Sequence, residues 1–173
     1  AKYGAVAAPV RSMGSNTEDY PHTGGMRYAP NIPQIPAFAI STKHADQLSR
    51  LLKEDKAIQV YLESHCETLE EAPSFNVIGE IRGSENKDEY IVVGGHLDSW
   101  DLGQGAHDDG AGCIQSIEAL RILKSIGYKP KRTLRAVMFM NEENGLRGGT
   151  KYAEEAARKK EKHLAAIEAD RGG

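Results

Sequence analysis

The stretch YIVVGGHLDSWDLGQGAHDDGAGC, from Tyr90 to Cys113, decides how the rest of the sequence is interpreted. It begins with the apolar run at residues 91–93, which is typical of a central strand buried on both faces. The residues that follow it include an imidazole and four carboxylates that can ligate a metal, His96, Asp98, Asp101, Asp108 and Asp109. Such side chains at the end of a buried strand are costly unless a divalent metal ion compensates them. We therefore interpret residues 91–112 as half of a metal-hydrolase active site.

The composition is that of a water-soluble globular protein, with 39% hydrophobic and 27% charged residues in 173. This length suits one domain or parts of two. A formal net charge of −3 gives no reason to expect a nucleic acid partner. No stretch approaches the roughly 18 apolar residues of a membrane span. The sequence has no initiating methionine and stops directly after a strand pattern, so we expect a fragment.

The two cysteines, Cys66 and Cys113, are too few for a disulfide framework. They could pair with each other, but two free and buried cysteines are the favoured interpretation.

The first 88 residues predict short elements joined by irregular chain. Ser41 is a plausible N-cap for a helix over residues 42–53, because its hydroxyl can accept a hydrogen bond from the first turn. Residues 83–88 form a polar turn that suits a hairpin. Apolar and alternating patterns predict strands over residues 4–12, 37–40, 57–64 and 75–82.

From Tyr90 onward the pattern alternates strand and helix, which indicates α/β organisation. Helices are predicted over residues 111–126 and 149–160, and further strands over residues 134–140 and 165–169. We expect His163 to lie in the basic end of the second helix. The strand that begins at residue 91 and the strands over 134–140 and 165–169 are each followed by acidic or imidazole residues. In open α/β sheets, ligands bind at the carboxyl ends of the strands.

Each acidic residue at these strand ends has a role that its chemistry suggests. Asp98 could hold the second ring nitrogen of His96 through its carboxylate. Either Asp108 or Asp109 could bridge two metal ions, since a carboxylate has two oxygens to share. Within the pair at 142 and 143, one glutamate can bind metal while its neighbour acts as a general base.

The sequence argues against two other kinds of site. A dinucleotide site would need a third glycine at position 108, where Asp108 stands and would repel a pyrophosphate. A serine nucleophile needs the G-x-S-x-G motif, and neither Ser99 nor Ser116 lies in one.

The sequence resembles the M28 family of zinc metallopeptidases, and within it the plasma glutamate carboxypeptidase group. The blocks that carry the resemblance are GGHLDSWDLGQGAHDDGAG at 94–112, KPKRTLRAVMF at 129–139, NEENGLRGG at 141–149 and EADRGG at 168–173. RSMGS at 11–15 and PHTG at 21–24 are also similar to that group. The resemblance covers essentially the whole chain.

The resemblance implies a three-layer αβα zinc-peptidase fold with a mixed, largely parallel sheet. It makes residues 56–173 the first part of the catalytic domain. Residues 1–55 would be the last part of a protease-associated-type, β-rich inserted domain.

The resemblance also implies a role for each residue of the site. His96 and Asp170 would ligate one zinc, Asp108 would bridge two zinc ions, and Glu143 would ligate the second. Glu142 would be the general base that takes a proton from water to form the attacking hydroxide, with Asp98 supporting His96. A cis peptide is expected between Asp108 and Asp109, and Asp101 and Asp109 are left as loop residues. The family's further histidine ligand has no counterpart here, and His163 does not replace it.

These roles imply an exopeptidase acting on short peptides or dipeptides, with a homodimer possible. A secreted, periplasmic or lysosomal location is implied in the same way. One alternative is a binding or receptor module without catalysis, which the intact ligand positions disfavour. The other is an inactive fragment that lacks the last zinc-ligand histidine. A single-zinc aminoacyl cyclase is disfavoured by the DDGAG and NEENG blocks.

Overall fold

The computed structural model describes residues 3–22, 24–100 and 102–170, which form two compact units, Ala1–Glu71 and Ala72–Gly173. Four described segments of the second unit are strands around the candidate site, β3 Val77–Ile81, β4 Asn86–His96, β5 Arg132–Phe139 and β6 Lys162–Glu168. Its helices are α2 Gly110–Ser125 and α3 Arg147–Lys159. The first unit contains β1 Ala8–Arg11, β2 Ala37–Ile40 and α1 Thr42–Glu54.

The first unit is built around a parallel pair, β1 and β2, followed by α1. Ser41 caps α1 as predicted, with its Oγ accepting a hydrogen bond from the backbone N–H of His44. The buried Ser12 Oγ donates to the carbonyl of Ile40 at 2.8 Å, which ties the end of β1 to the end of β2. Residues 57–64 form no strand, so that prediction is wrong. Their side chains are mostly exposed, and an alternating pattern makes a strand only where a partner strand accepts it.

The second unit is a four-stranded sheet in the order β3-β5-β4-β6. Strand β4 pairs in parallel with both β5 and β6, whereas β3 pairs antiparallel with β5. The predicted hairpin at residues 83–88 is therefore wrong, because β5 lies between β3 and β4. Gly83 and Ser84 instead contact the segment that enters β5: the N–H of Ser84 donates to the carbonyl of Pro130 at 2.9 Å.

The two helices lie on opposite faces of this sheet. On the α2 face, Cys113 packs against Ala136 and Met138 of β5. On the other face, Arg135 and Phe139 of the same strand contact Tyr152 of α3. This is a mixed α/β, three-layer arrangement, as predicted, with helices crossing between parallel strands.

The structure corrects two details of the sequence prediction in this unit. Val92 is buried, but Ile91 is 36% exposed, so the apolar run is not covered on both faces in the described residues. His163 lies near the start of β6 rather than in a helix end, and its ring stacks on Tyr90 of β4 with centroids 5.4 Å apart.

Both cysteines are free, as favoured from the sequence. Cys113 is buried in the α2 core, whereas Cys66 is exposed, so the expectation that both are buried is wrong for Cys66.

Candidate metal centre

His96 is the last residue of β4 and is almost completely buried, with 2% of its surface exposed. Its Nδ1 lies 2.8 Å from the backbone carbonyl oxygen of Asp98. Since a carbonyl only accepts, this contact places the ring proton on Nδ1 and leaves the Nε2 lone pair available in the neutral ring. Nε2 is buried and has no hydrogen-bond partner among the described residues.

Carboxylates from three separate chain segments surround this Nε2 atom. Asp108 Oδ1 lies 3.1 Å away, and Glu142 Oε2 and Asp170 Oδ1 each lie 3.9 Å away. Two sets of side chains bring potential ligand atoms within 4.8 Å of one another: His96 with Asp108 and Asp170, and His96 with Glu142 and Glu143. The parallel strands β4, β5 and β6 cause this convergence, since their carboxyl ends meet at one edge.

The electrostatics of the cluster favour a cation. Burial lowers the pKa of His96, but the hydrogen bond to the Asp98 carbonyl and the negative charges of Asp109 and Glu142 outweigh it, so the pKa is raised. Burial, followed by repulsion from Asp108, raises the pKa of Glu143. A bound cation would relieve both effects by pairing with the carboxylates.

Asp98 differs from its sequence-based expectation. Its carboxylate is not the group that holds the ring of His96, because the backbone carbonyl does so. The carboxylate instead accepts hydrogen bonds from the backbone N–H groups of Glu142 at 2.9 Å and Glu143 at 3.2 Å. Asp98 therefore links β4 to the loop that carries the two glutamates.

Asp109 has a role that sequence reasoning missed. It is 1% exposed and N-caps α2, with Oδ1 accepting from the N–H of Gly112 at 3.0 Å. Its Oδ2 accepts from the backbone N–H of His96 at 2.8 Å. The available signal was its position two residues before the predicted helix, close to the place where Asp is a preferred cap. The expected cis peptide between Asp108 and Asp109 is confirmed, and Asp101 lies outside the described residues.

Gly112 allows the start of α2 to approach the end of β6 closely. A Cβ atom at this position would lie 1.7 Å from the carbonyl oxygen of Ala169, far inside contact distance. Ala169 is itself held by a hydrogen bond from its N–H to the carbonyl of Gly94 at 3.0 Å. These contacts place the next residue, Asp170, beside the cluster.

The model of peptidase family M28 matches residues 76–173, which include every residue of the cluster. The chain belongs to peptidase family M28. Carboxypeptidase Q from Mus musculus is 42% identical over 172 residues, covering 99% of this chain and 37% of that protein. Carboxypeptidase Q from Homo sapiens is 42% identical over 152 residues, covering 88% of this chain and 32% of that protein.

Among solved structures, this M28 chain matches the peptidase M28 precursor from Shewanella amazonensis SB2B with a TM-score of 0.78 and 39% identity. The match covers 96% of this chain and 38% of that one. An aminopeptidase from Aneurinibacillus sp. strain AM-1 matches at 25% identity with a TM-score of 0.50, over 98% of this chain and 40% of that one. The chain thus spans well under half the length of these relatives.

The residues of the cluster fit the zinc ion on which M28 peptidases generally depend. One neutral imidazole nitrogen and several carboxylate oxygens form a typical donor set for zinc in proteins. The buried, unpartnered Nε2 of His96 is the observation that a metal ligand explains directly.

None of the described helices is long and apolar enough to cross a membrane.

Proposed function

We propose that the complete protein is a two-zinc exopeptidase that cleaves short peptides or dipeptides. The observation that carries this proposal is the buried Nε2 of His96, which faces the carboxylates of Asp108, Glu142 and Asp170 at 3.1–3.9 Å. Membership of family M28 supports the reaction class. The 42% identical relatives are carboxypeptidase Q proteins, and this supports a peptide substrate.

In this proposal His96, Asp170 and Asp108 would hold one zinc ion, and Asp108 and Glu143 would contribute to holding the second. The first three residues are one of the sets whose ligand atoms lie within 4.8 Å of one another. A further histidine ligand for the second ion is expected outside residues 1–173. His163 does not serve, because its Nε2 lies 2.7 Å from the hydroxyl of Tyr152, on the α3 face of the sheet.

Glu142 is proposed as the general base. Zinc, when bound, supplies Lewis-acid activation of water and of the peptide carbonyl. Glu142 takes a proton from the attacking water and delivers it to the leaving amine. Its backbone N–H is fixed by the Asp98 carboxylate at 2.9 Å, which holds the glutamate beside His96. The neighbouring Glu143 is held in the same way, so one loop presents a base and a ligand together.

Replacing each glutamate by Gln in the full-length protein should impair a different property, either the hydrolysis rate or zinc binding. We expect Glu142→Gln to retain zinc and to lower kcat for dipeptide hydrolysis by about 10²–10⁴-fold, the range of general-base contributions. Glu143→Gln should instead lose zinc from one site. Glu154→Gln, on the exposed side of α3, is the matched control and should change neither property.

The zinc-dependent mechanism is tested by measuring the metal content by mass spectrometry and the hydrolysis rates with and without chelator. Chelator-insensitive cleavage, or a fully active Glu142→Gln, would overturn the mechanism. Zinc binding without any hydrolysis by the full-length protein would favour the alternative, a binding or receptor module. A homodimer and a secreted, periplasmic or lysosomal location stay predictions.

A further inference from the structure

The β5–α3 loop, residues 140–146, is closed at its base by the side chain of Asn76. The Oδ1 atom of Asn76 accepts a hydrogen bond from the N–H of Met140 at 3.0 Å. Its Nδ2 donates to the carbonyl of Gly148 at 2.8 Å. One amide side chain thus joins the residue after β5 to the first turn of α3.

The two ends of the loop also contact each other directly at this point. The N–H of Gly148 donates to the carbonyl of Met140 at 2.9 Å. A Cβ atom at Gly148 would lie 2.3 Å from that carbonyl oxygen and 2.4 Å from Asn76 Oδ1. The closure is therefore tight enough to require glycine, and Asn76 fills the remaining space beside it.

The antiparallel direction of β3 explains how Asn76 reaches this position. Val77, the first residue of β3, pairs with Met138 near the carboxyl end of β5. Asn76 therefore lies at the edge of the sheet where the candidate site is, although it precedes that site by twenty residues or more in sequence.

We propose that Asn76 is a positioning residue for Glu142 and Glu143, an inference that rests on the proposed function of that pair. Both glutamates lie in the loop whose base Asn76 closes, and their N–H groups donate to the carboxylate of Asp98, which follows β4. The loop is thus fixed at two places by side chains from two other strand ends. Loss of Asn76 leaves the Asp98 contacts and the Gly148–Met140 hydrogen bond in place but removes the side-chain bridge across the base of the loop, so both carboxylates are held less firmly in direction.

The matched control for Asn76 is Thr133, at the opposite end of β5. Its buried Oγ1 accepts from the N–H of Gly83 at 3.0 Å and donates to the carbonyl of Lys87 at 2.8 Å. Thr133 thus bridges two backbone groups as Asn76 does, but away from the candidate metal centre. Asn76→Ala and Thr133→Val each remove one such bridge from the same unit.

The test uses the full-length protein with both variants. For Asn76→Ala we expect zinc affinity, measured by chelator competition, and kcat each to fall about 10–100-fold, the usual effect of losing a partner that orients a metal ligand. KM should stay within about 3-fold, because uniform substrate binding is unchanged. Thr133→Val should lower thermal stability but leave zinc affinity and kcat within about 2-fold, because it leaves the loop intact.

Hydrogen exchange tests the loop without reference to activity. In Asn76→Ala, exchange at the Met140 amide should accelerate at least about tenfold, because its acceptor is gone, whereas Thr133→Val should leave it protected. Asn76→Asp retains the acceptor for Met140 and should restore most of that protection, which keeps the test valid if the alanine variant folds poorly.

Equal effects of Asn76→Ala and Thr133→Val on zinc affinity and kcat would overturn the inference, as would unchanged exchange at Met140. If the wild-type protein shows no chelator-sensitive hydrolysis, the proposed function fails instead. Zinc affinity and Met140 exchange would then still decide whether Asn76 orders the loop.

Discussion

Arg135 offers the sharpest test of what stabilises the sheet. Its guanidinium is 8% exposed and lies on the α3 face of β5. Two of its nitrogens donate to the carboxylate of Glu161 at 2.7 and 3.1 Å, and Nε donates to Glu80 at 2.6 Å. It also donates to the Tyr152 hydroxyl at 2.8 Å and lies 4.0 Å from the ring centroid of Tyr90. One residue therefore links β3, β4 and β5 to α3 and to Glu161, the residue before β6.

Arg135→Met keeps the apolar volume of the side chain but removes both hydrogen bonds to the Glu161 carboxylate, which then has His163 Nε2 at 3.9 Å as its nearest ion-pair partner. The Glu161 side chain is 10% exposed, so its charge cannot regain water without local opening. Breaking such a buried pair by removing one partner costs about 3–5 kcal/mol. Glu80 is 35% exposed and is partly rehydrated when the arginine is lost, so it adds about 1 kcal/mol at most.

The destabilisation of this variant should depend on pH. In the wild-type chain the hydrogen bond from Arg135 lowers the pKa of Glu161, so this stabilisation is present at neutral pH. It is lost only as the pH falls through the lowered value, below about 4.3, the pKa of an unfolded Glu. Without the arginine, burial raises the pKa of Glu161 above that value. The variant should therefore be most destabilised at pH 7 and less so at pH 5, because a raised pKa lets Glu161 take up a proton at a higher pH than in the wild-type chain.

Pulse proteolysis in urea at pH 7 and pH 5 measures these free energies on the full-length protein. The double variant Arg135→Met with Glu161→Gln should recover at least about 2 kcal/mol relative to Arg135→Met alone, because no buried charge is left unpaired. A loss below about 1 kcal/mol for Arg135→Met, typical of an exposed pair, would refute the reasoning. So would a loss that is equal at both pH values.

Two further predictions concern neighbouring glycines and the buried thiol. Gly148→Ala should destabilise by about 1–3 kcal/mol, because its Cβ would overlap the Met140 carbonyl, whereas Gly149→Ala, with open space around it, should stabilise by about 0.5–1 kcal/mol. Opposite shifts in thermal unfolding would support this, and shifts of the same sign would contradict it. Burial raises the pKa of Cys113 to about 11, so iodoacetamide at pH 8 should modify Cys66 and spare Cys113 until urea is added. Peptide mass spectrometry measures the labelling of each cysteine. Equal labelling of Cys66 and Cys113 before denaturation would contradict the claim that burial protects Cys113.

The sequence alone determined much of the second unit. The apolar run before His96 and the helical spacing after Gly110 predicted β4 and α2, because a side-chain period of two or 3.6 residues reflects local geometry. The acidic residues at three strand ends predicted a metal cluster, since parallel strands must end at a common edge. The family resemblance supplied individual roles for these residues and the cis peptide, which spacing could not.

Only the tertiary structure decided which strands are neighbours. Residues 75–82 and the strand after Tyr90 look like a hairpin because they are adjacent in sequence. In the fold, β5 lies between them, and β3 therefore runs antiparallel to β5. That reversal brings Asn76 to the loop of Glu142 and Glu143, a contact between residues 64 or more positions apart.

Tertiary structure also decided what each aspartate near His96 contacts. Asp98, Asp108 and Asp109 have the same side chain, and their spacing allowed several of them to be ligands or supports. In the structure Asp108 faces Nε2 of His96, Asp109 caps α2, and Asp98 holds the glutamate loop. Sequence determines which chemical groups are available, whereas the partner of each group depends on backbone hydrogen-bond donors that only the folded chain brings within reach.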